Sequence, residues 1–444
     1  MRFARFFPSL LALCSSPLAR AAAPAPAPAG AAVPAVFFVG TDSGPILSVS
    51  LDERTGALKQ ISSTTDGGPA PSWQEMSPAN CSILYSASGQ PPPDEGRGSL
   101  TSLAIGADGS LKKLASTSCL PEPVSLAVSA DGRTIFTAHY ASSGVSMFTA
   151  CPITGAIQLV WEHTYKLSAP GAVPDRQEAA HPHQALFDPT GCFVLVADLG
   201  ADLLRVYSAN GTELPSIAVP AGSGPRHGAF FPASARAAPA SDSAQPLYFY
   251  LVNELANSLS VFAVTYANSM IVLTPLQSVS TLPAPSSSTG GSGTGPVSGP
   301  GNSTSGSGSG SGTNPLPTPS AAELAISPDG QFIYVSNRGN DGVFPDNGQG
   351  DGNNAIAAFA RAGDTGGVKL VGFIPSHVRT PRHFTLDPAG AWLVVAGQGA
   401  GGVKAFPRDV QTGEVDSSQA AAGSLAASGP MCVTFASRDG GKGL

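Results

Sequence analysis

The sequence predicts an all-β protein: a seven-bladed β-propeller whose N- and C-terminal strands share one blade and close the ring. Three observations predict it. Only 12% of the 444 residues are charged, whereas glycine (52) and proline (41) are abundant, a composition rich in turns and poor in helix formers. One pattern recurs along the chain: an apolar strand, a turn of the Pro-Asp-Gly type, then a second apolar strand. The N-terminal segment opens on the second strand of such a unit, and the C-terminal segment supplies the missing first strand.

The pattern is clearest in Val124–Gly132 before Thr134–Ala138, His183–Gly191 before Phe193–Asp198, Leu324–Gly330 before Phe332–Asn337, and Phe384–Gly390 before Trp392–Ala396. Gly228–Pro232 before Tyr248–Asn253 is a further copy. In these turns glycine supplies the left-handed conformation and proline presets the bend. A third strand follows in most copies, as at Leu204–Tyr207, and a weaker fourth, as at Leu370–Ile374. Four short antiparallel strands per repeat of roughly 40 to 60 residues is the signature of propeller blades. First strands begin near Trp73, Val124, His183, Arg226, Glu323, Arg382 and Met431, which makes seven. Val36–Val39 reads as a second strand whose first is Met431–Phe435, so closure removes the free sheet edges.

The expected domain plan is a signal peptide at 1–21, an Ala/Pro-rich tether at 22–34, and a propeller over 35–438 with a disordered Ser/Gly/Pro-rich insertion at 283–320. Arg2 and Arg5 form a basic start, Phe6–Leu18 is apolar but too short to span a bilayer, and Ala19 and Ala21 are small residues at the cleavage positions. Cleavage there removes three arginines and no acid, taking the net charge from -7 to -10. The expectation is a secreted, extracellular protein. Cys81, Cys119, Cys151, Cys192 and Cys432 would remain, an odd number with no metal-knuckle spacing. Asn80, Asn210 and Asn302 each head an Asn-x-Ser/Thr tripeptide and are candidate N-glycan sites. The acidic balance and the lack of any Lys/Arg run exclude a phosphate-neutralising surface, so nucleic acid is not an expected partner. No later stretch is long and apolar enough for a membrane span, so no membrane partner is expected.

Topology gathers the polar chemistry in one place. In an antiparallel hairpin the start of the first strand and the end of the second share an edge, and the first strand of a blade is innermost. That edge therefore rings the mouth of the central channel. First-strand starts bring Trp73, Gln74, His183, Arg226, Glu323 and Arg382 to it; second-strand ends bring Asp42, His139, Asp198, Glu254, Arg338 and Gln398. In a charge-poor chain this is the pattern of a pocket with convergent polar groups. The histidines are not spaced as zinc ligands, and neither metal nor cofactor is expected.

The words at these positions carry a resemblance. His181-Pro-His183 with Phe187-Asp-Pro189, Ala197-Asp-Leu-Gly200, Gly224-Pro-Arg-His227, Val252-Asn-Glu-Leu255, Val335-Ser-Asn-Arg338 and Pro381-Arg-His-Phe384 resemble the seven-bladed lactonase family, from about Val36 to Phe435. That family includes bacterial 6-phosphogluconolactonases and fungal 3-carboxymuconate cyclases. His139 departs from it, standing where the family usually has Asn. Similarity to the cyclase members implies active-site positions at His183, Glu254, Arg226 and Arg338, and implies no metal. Opening a lactone needs an activated water, a donor for the developing oxyanion, and a proton for the leaving alkoxide. His183 or Glu254 is the expected base/acid, with Arg226 and Arg338 polarising the carbonyl or holding a substrate carboxylate. His139, Arg382, Trp73, Gln74 and Glu323 are expected to contact the substrate, whereas His181, His227 and His383 are expected to brace loops. The expected function is extracellular hydrolysis of a sugar (aldono)lactone to its aldonic acid, because an exported enzyme would not meet a cytosolic phosphorylated metabolite. A 3-carboxy-cis,cis-muconate cyclase and a non-catalytic binding propeller are the alternatives.

Overall fold

The computed structural model describes residues 34–42, 44–89, 96–233, 246–283, 319–339, 354–417 and 421–436. The signal-peptide and tether segments and nearly all of the 283–320 insertion lie outside them. Among the described residues the chain forms seven four-stranded antiparallel sheets, with no α-helix and one short 3-10 turn at Gly363–Thr365. Numbered from the first complete unit, the innermost strands are Pro71–Met76 in blade 1, Pro123–Val128 in blade 2, Pro182–Phe187 in blade 3, Pro225–Phe231 in blade 4, Ser320–Ile326 in blade 5 and Arg379–Leu386 in blade 6. Blade 7 takes its innermost strand from Pro430–Phe435 and its other three from Ala35–Thr41, Ile46–Leu51 and Leu58–Thr64. The two chain ends pair in register, Val39 opposite Val433 and Phe37 opposite Phe435, closing the ring as the sequence predicts.

The apolar second strands explain how the blades hold together. Leu247–Asn253 reads Leu-Tyr-Phe-Tyr-Leu-Val-Asn, apolar on both faces, because a blade is sandwiched between two others. Phe249 and Leu251 point back into a cluster with Leu195, Leu204 and Val206 of blade 3. Tyr250 and Val252 point forward into a cluster with Leu324, Ile333 and Val335 of blade 5. Fully burying such a side chain is worth roughly 1.5–3 kcal/mol, so the core is a ring of inter-blade layers rather than one central mass. The outermost strands have only one neighbour in the sheet and alternate with solvent, as in Glu213–Ala218. Gly330, at φ 69, turns the chain between the first two strands of blade 5 where a Cβ would strike the Phe231 ring of blade 4.

The innermost strands share one irregularity that decides where the site lies. In five blades they open on proline, at Pro71, Pro123, Pro182, Pro225 and Pro430, and in blade 6 Pro381 stands two residues after the start at Arg379. Proline is tolerated at a strand start because it owes the ladder no N–H there. The next residue is then skipped in the pairing. Pro182 faces Asp198 and Gln184 faces Ala197, so His183 bulges out; Pro225 faces Asn253 and His227 faces Val252, so Arg226 does likewise. Val124, Arg382 and Met431 are skipped in the same way, and in blade 5 Ala322 and Glu323 are skipped together. Blade 1 skips Ser72 instead, just before Trp73. A β-bulge re-aims the side chain of the extra residue, and here repeated bulges aim Val124, His183, Arg226, Glu323, Arg382 and Met431 into the channel.

Candidate active site

Six of the bulged residues meet in a narrow recess at the mouth of the channel. It is lined by Trp73, Val124, His183, Arg226, Glu323, Arg382 and Met431, one from each blade, together with His227 and His383. The seven residues at which the sequence placed the first-strand starts are thus brought together.

One wall is cationic. Glu254, at the end of the second strand of blade 4, is 2% exposed and receives three arginines. Arg176 Nη2 donates to its Oε1 at 2.6 Å, Arg338 Nη2 lies 2.8 Å from Oε2, and Arg226 Nε lies 2.9 Å from the same oxygen, an ion-pair contact outside hydrogen-bonding angle. Arg226 Nη1 also donates to Ala322 O at 2.7 Å, and Arg338 Nη2 reaches Ala321 O at 3.4 Å, which ties the arginines to the bulge of blade 5. Burial alone would raise the Glu254 carboxyl; Arg338, Arg226 and Arg176 overcome it and hold the pKa at about 2. Burial and the repulsion of Arg338 bring Arg226 down to about 9, still cationic at neutral pH. Arg382 faces the same recess, and burial and Arg338 lower its pKa too.

The other wall is a chain of contacts. His183 Nδ1 lies 3.1 Å from His227 Nε2, and His227 Nδ1 lies 2.9 and 3.0 Å from the two Glu323 oxygens. His383 Nε2 approaches Glu323 Oε2 at 3.4 Å, while its Nδ1 accepts from Val433 N–H at 3.3 Å. Trp73 stands edge-on between the two, its ring centroid 5.3 Å from His227 and 5.1 Å from His383. Burial, then the neighbouring cationic arginines, keep His183 and His227 well below the usual histidine range, so both are neutral at pH 7. Burial brings His383 down to about 4 against the opposing pull of Glu323.

The structure corrects several expectations. His139 does not face the recess: it is fully buried in blade 2, with Nε2 2.7 Å from Thr137 Oγ1 and 2.9 Å from Ser146 Oγ, and Nδ1 3.2 Å from Pro121 O. Asn253 of blade 4 donates to Ser258 Oγ and Ser260 Oγ in the equivalent place, so His139 performs an asparagine's bracing task. Gln74 also turns away, donating Nε2 to Pro71 O at 3.0 Å and packing on Gly40 of blade 7. Glu254 and Arg338 stand behind the recess rather than lining it. Conversely, His227 and His383 were expected to brace loops, yet they line it. His181 does brace a loop, accepting its place from Asp198, which takes the His181 N–H at 2.8 Å, and stacking on Tyr140 at 4.2 Å. Arg176 was missed because it sits between blades 2 and 3, where no repeat marks it. A signal did exist for the others: Pro-Arg-His occurs twice, at 225–227 and 381–383, and both copies deliver an Arg and a His to the recess. Among the described residues no cluster of His, Cys, Asp and Glu is arranged to hold a metal ion.

Comparison with known proteins agrees with this fold. The family model described as "Lactonase, 7-bladed beta-propeller" matches residues 36–435. The chain belongs to that lactonase family. A relative named probable 6-phosphogluconolactonase, from Arthroderma benhamiae, is 35% identical over 90% of this chain and 88% of its own. The 6-phosphogluconolactonase of Bacillus subtilis is 26% identical over 71% of this chain and 73% of its own. Among solved structures, the periplasmic gluconolactonase of Pseudomonas aeruginosa superposes with a TM-score of 0.69 at 24% identity, covering 91% of this chain and 99% of that one, which shows the shared fold.

Proposed function

We propose that this protein hydrolyses a small sugar lactone in the recess, with His183 as general base and acid. The observation that carries the reading is the pairing of a neutral, recess-lining histidine with cationic Arg226 and Arg382 in one buried site. His183 Nε2 takes a proton from water as the water oxygen bonds to the lactone carbonyl carbon. The carbonyl oxygen becomes an oxyanion beside Arg226 and Arg382, which are worth most where water is excluded. Collapse breaks the acyl–oxygen bond of the ring, and the departing alkoxide recovers the proton from His183. One water is added and a hydroxy acid results. Glu254 does not move protons in this scheme, because its pKa of about 2 keeps it ionised; it fixes Arg226 and Arg338 in place.

The natural substrate on this reading is an aldonolactone met outside the cell. The support is the basic-then-apolar N-terminal segment and an exposed Asn210 in a glycosylation tripeptide. Asn80 suits a glycan less well, because its Nδ2, the atom a glycan would occupy, donates to Pro152 O at 2.8 Å. Asn302 lies outside the described residues. The arginine wall also favours a second reaction of the same groups, ring closure of a 3-carboxymuconate, since a polycarboxylate suits several guanidinium donors.

The test is proton release by the purified protein on gluconolactone, a disaccharide aldonolactone and 6-phosphogluconolactone, with ultraviolet loss of 3-carboxymuconate followed on the same sample. Acid release from a neutral aldonolactone above the spontaneous rate is the expected result. Silence on all three lactones with muconate consumed would replace hydrolysis by cyclisation.

A further inference from the structure

The base proposed above has one ring nitrogen in the recess and the other on a second histidine, and what lies behind that second histidine determines what the first can do. Glu323 is a carboxylate, so its oxygens accept; Leu324 N–H donates to Oε1 at 3.1 Å. His227 Nδ1, 2.9 and 3.0 Å from the two oxygens, must therefore carry its proton there. A neutral imidazole with a proton on Nδ1 has a bare Nε2, and that atom is 3.1 Å from His183 Nδ1. His183 must then carry its own proton on Nδ1, which leaves Nε2 as a lone pair. His383 supports the arrangement from the far side: Val433 N–H fixes its Nδ1 as an acceptor, so its Nε2–H is the group 3.4 Å from Glu323.

We infer that Glu323 and His227 form a relay that fixes the tautomer of His183, with His383 holding Glu323 in place. The inference rests on the lactone-hydrolysis reading for its kinetic consequence, but the tautomers themselves do not depend on it. Glu323, His227 and His383 are positioning residues here; each acts through His183. The relay also answers an electrostatic difficulty. A proton arriving on His183 creates a cation in a site that already holds Arg226, Arg338 and Arg382. If His183 passes its Nδ1 proton to His227 Nε2 as His227 passes its own to Glu323, the relay ends as a neutral carboxylic acid. No histidine then carries a charge, and the return of the two protons restores the resting state. Burial raises the Glu323 carboxyl and lowers the histidines, which brings the proton affinities of the two ends closer.

The deciding experiment is a long-range 1H–15N correlation spectrum of the full protein with 15N-labelled histidine at pH 7, without substrate. We expect His183 and His227, assigned with the single variants His183→Gln and His227→Gln, both to be protonated on Nδ1. A His183 protonated on Nε2 would overturn the relay. Kinetics give the second arm: Glu323→Gln should lower kcat at least 100-fold with KM within 3-fold, and Glu323→Asp, which keeps a carboxylate, should recover at least a tenth of the wild-type kcat. Equal turnover by Glu323→Gln and wild type would also overturn it. Should Glu323→Gln not fold, the wild-type spectrum and Glu323→Asp decide. Predicted tautomers in a protein that opens no lactone would leave the relay standing and remove the lactonase reading instead.

Discussion

Arg338 Nη2 sits 2.8 Å from Glu254 Oε2, joining the second strand of blade 5 to that of blade 4 behind the recess. Arg176 and Arg226 converge on the same carboxylate, so one anion organises three cations. Removing one member of a buried ion pair leaves its partner uncompensated, at a cost of about 3–5 kcal/mol. Glu254→Gln should therefore lower the melting temperature and reduce turnover together. The sign with pH follows from the depressed pKa. The carboxylate contribution is fully present above the ordinary value of 4.5 and is lost as pH falls through about 2. Denaturation of both proteins between pH 2 and 7 checks this: their stability difference should shrink only below about pH 4.5.

The buried histidines act in the same direction at higher pH. His139 and His383 titrate at about 3 and 4 in the folded chain, against 6.5 for an ordinary histidine, and burial is the leading cause in both. Between those values the unfolded chain binds protons that the folded chain refuses, so stability is lost as pH falls below 6.5. Each such histidine contributes up to about 1.4 kcal/mol per pH unit in that window. Chemical denaturation from pH 7.5 to 4.5 should show wild type losing stability faster than His139→Asn, in which one of these groups is gone.

The same variant separates bracing from catalysis. Asparagine at 139 can bond Ser146 as Asn253 bonds Ser260, and neither residue faces the recess. We expect His139→Asn to keep kcat and KM within about 2-fold of wild type. His139→Ala should leave Ser146 and Thr137 without their shared partner and cost roughly 1–3 kcal/mol.

Much of this was legible in the chain. The repeat showed itself because each blade needs apolar faces on both sides of its inner strands, so Phe193–Asp198 and Phe332–Arg338 read as near-continuous hydrophobic runs. Closure by the two termini followed from a missing first strand before Val36. The ring of site residues was legible because topology alone puts Trp73, His183, Arg226, Glu323 and Arg382 at one edge. What the residue pattern did not disclose was the bulge. Strict alternation would turn the residue after each ring member into its own blade; Gln74 obeys it, whereas His227 and His383 line the recess. The skipped residue shifts that alternation, and pairing register is a property of two strands, not of one. Arg176 was invisible for a different reason: it reaches Glu254 from a connection with no period at all.

Arg382 offers a test of how charge is used. It lines the recess, and no hydrogen bond or ion pair to it is found among the described residues, whereas Arg226 and Arg338 are anchored by Glu254. Its guanidinium is thus available to the reacting carbonyl or to an anionic substituent. Arg382→Gln should lower kcat/KM about 10²-fold, the scale of losing one oxyanion donor, while changing unfolding free energy by less than about 1 kcal/mol. A loss carried by kcat would place Arg382 on the carbonyl oxygen, and a loss carried by KM on a substrate anion.

The central claim is that His183 is the base of a lactone hydrolase. The most direct measurement is proton release from gluconolactone by wild type and His183→Gln at pH 7, with melting temperatures confirming that both are folded. The account predicts catalysed release by wild type and a fall in kcat of at least about 10²-fold in the variant, the usual contribution of general-base catalysis. Turnover by a folded His183→Gln within 3-fold of wild type would contradict it.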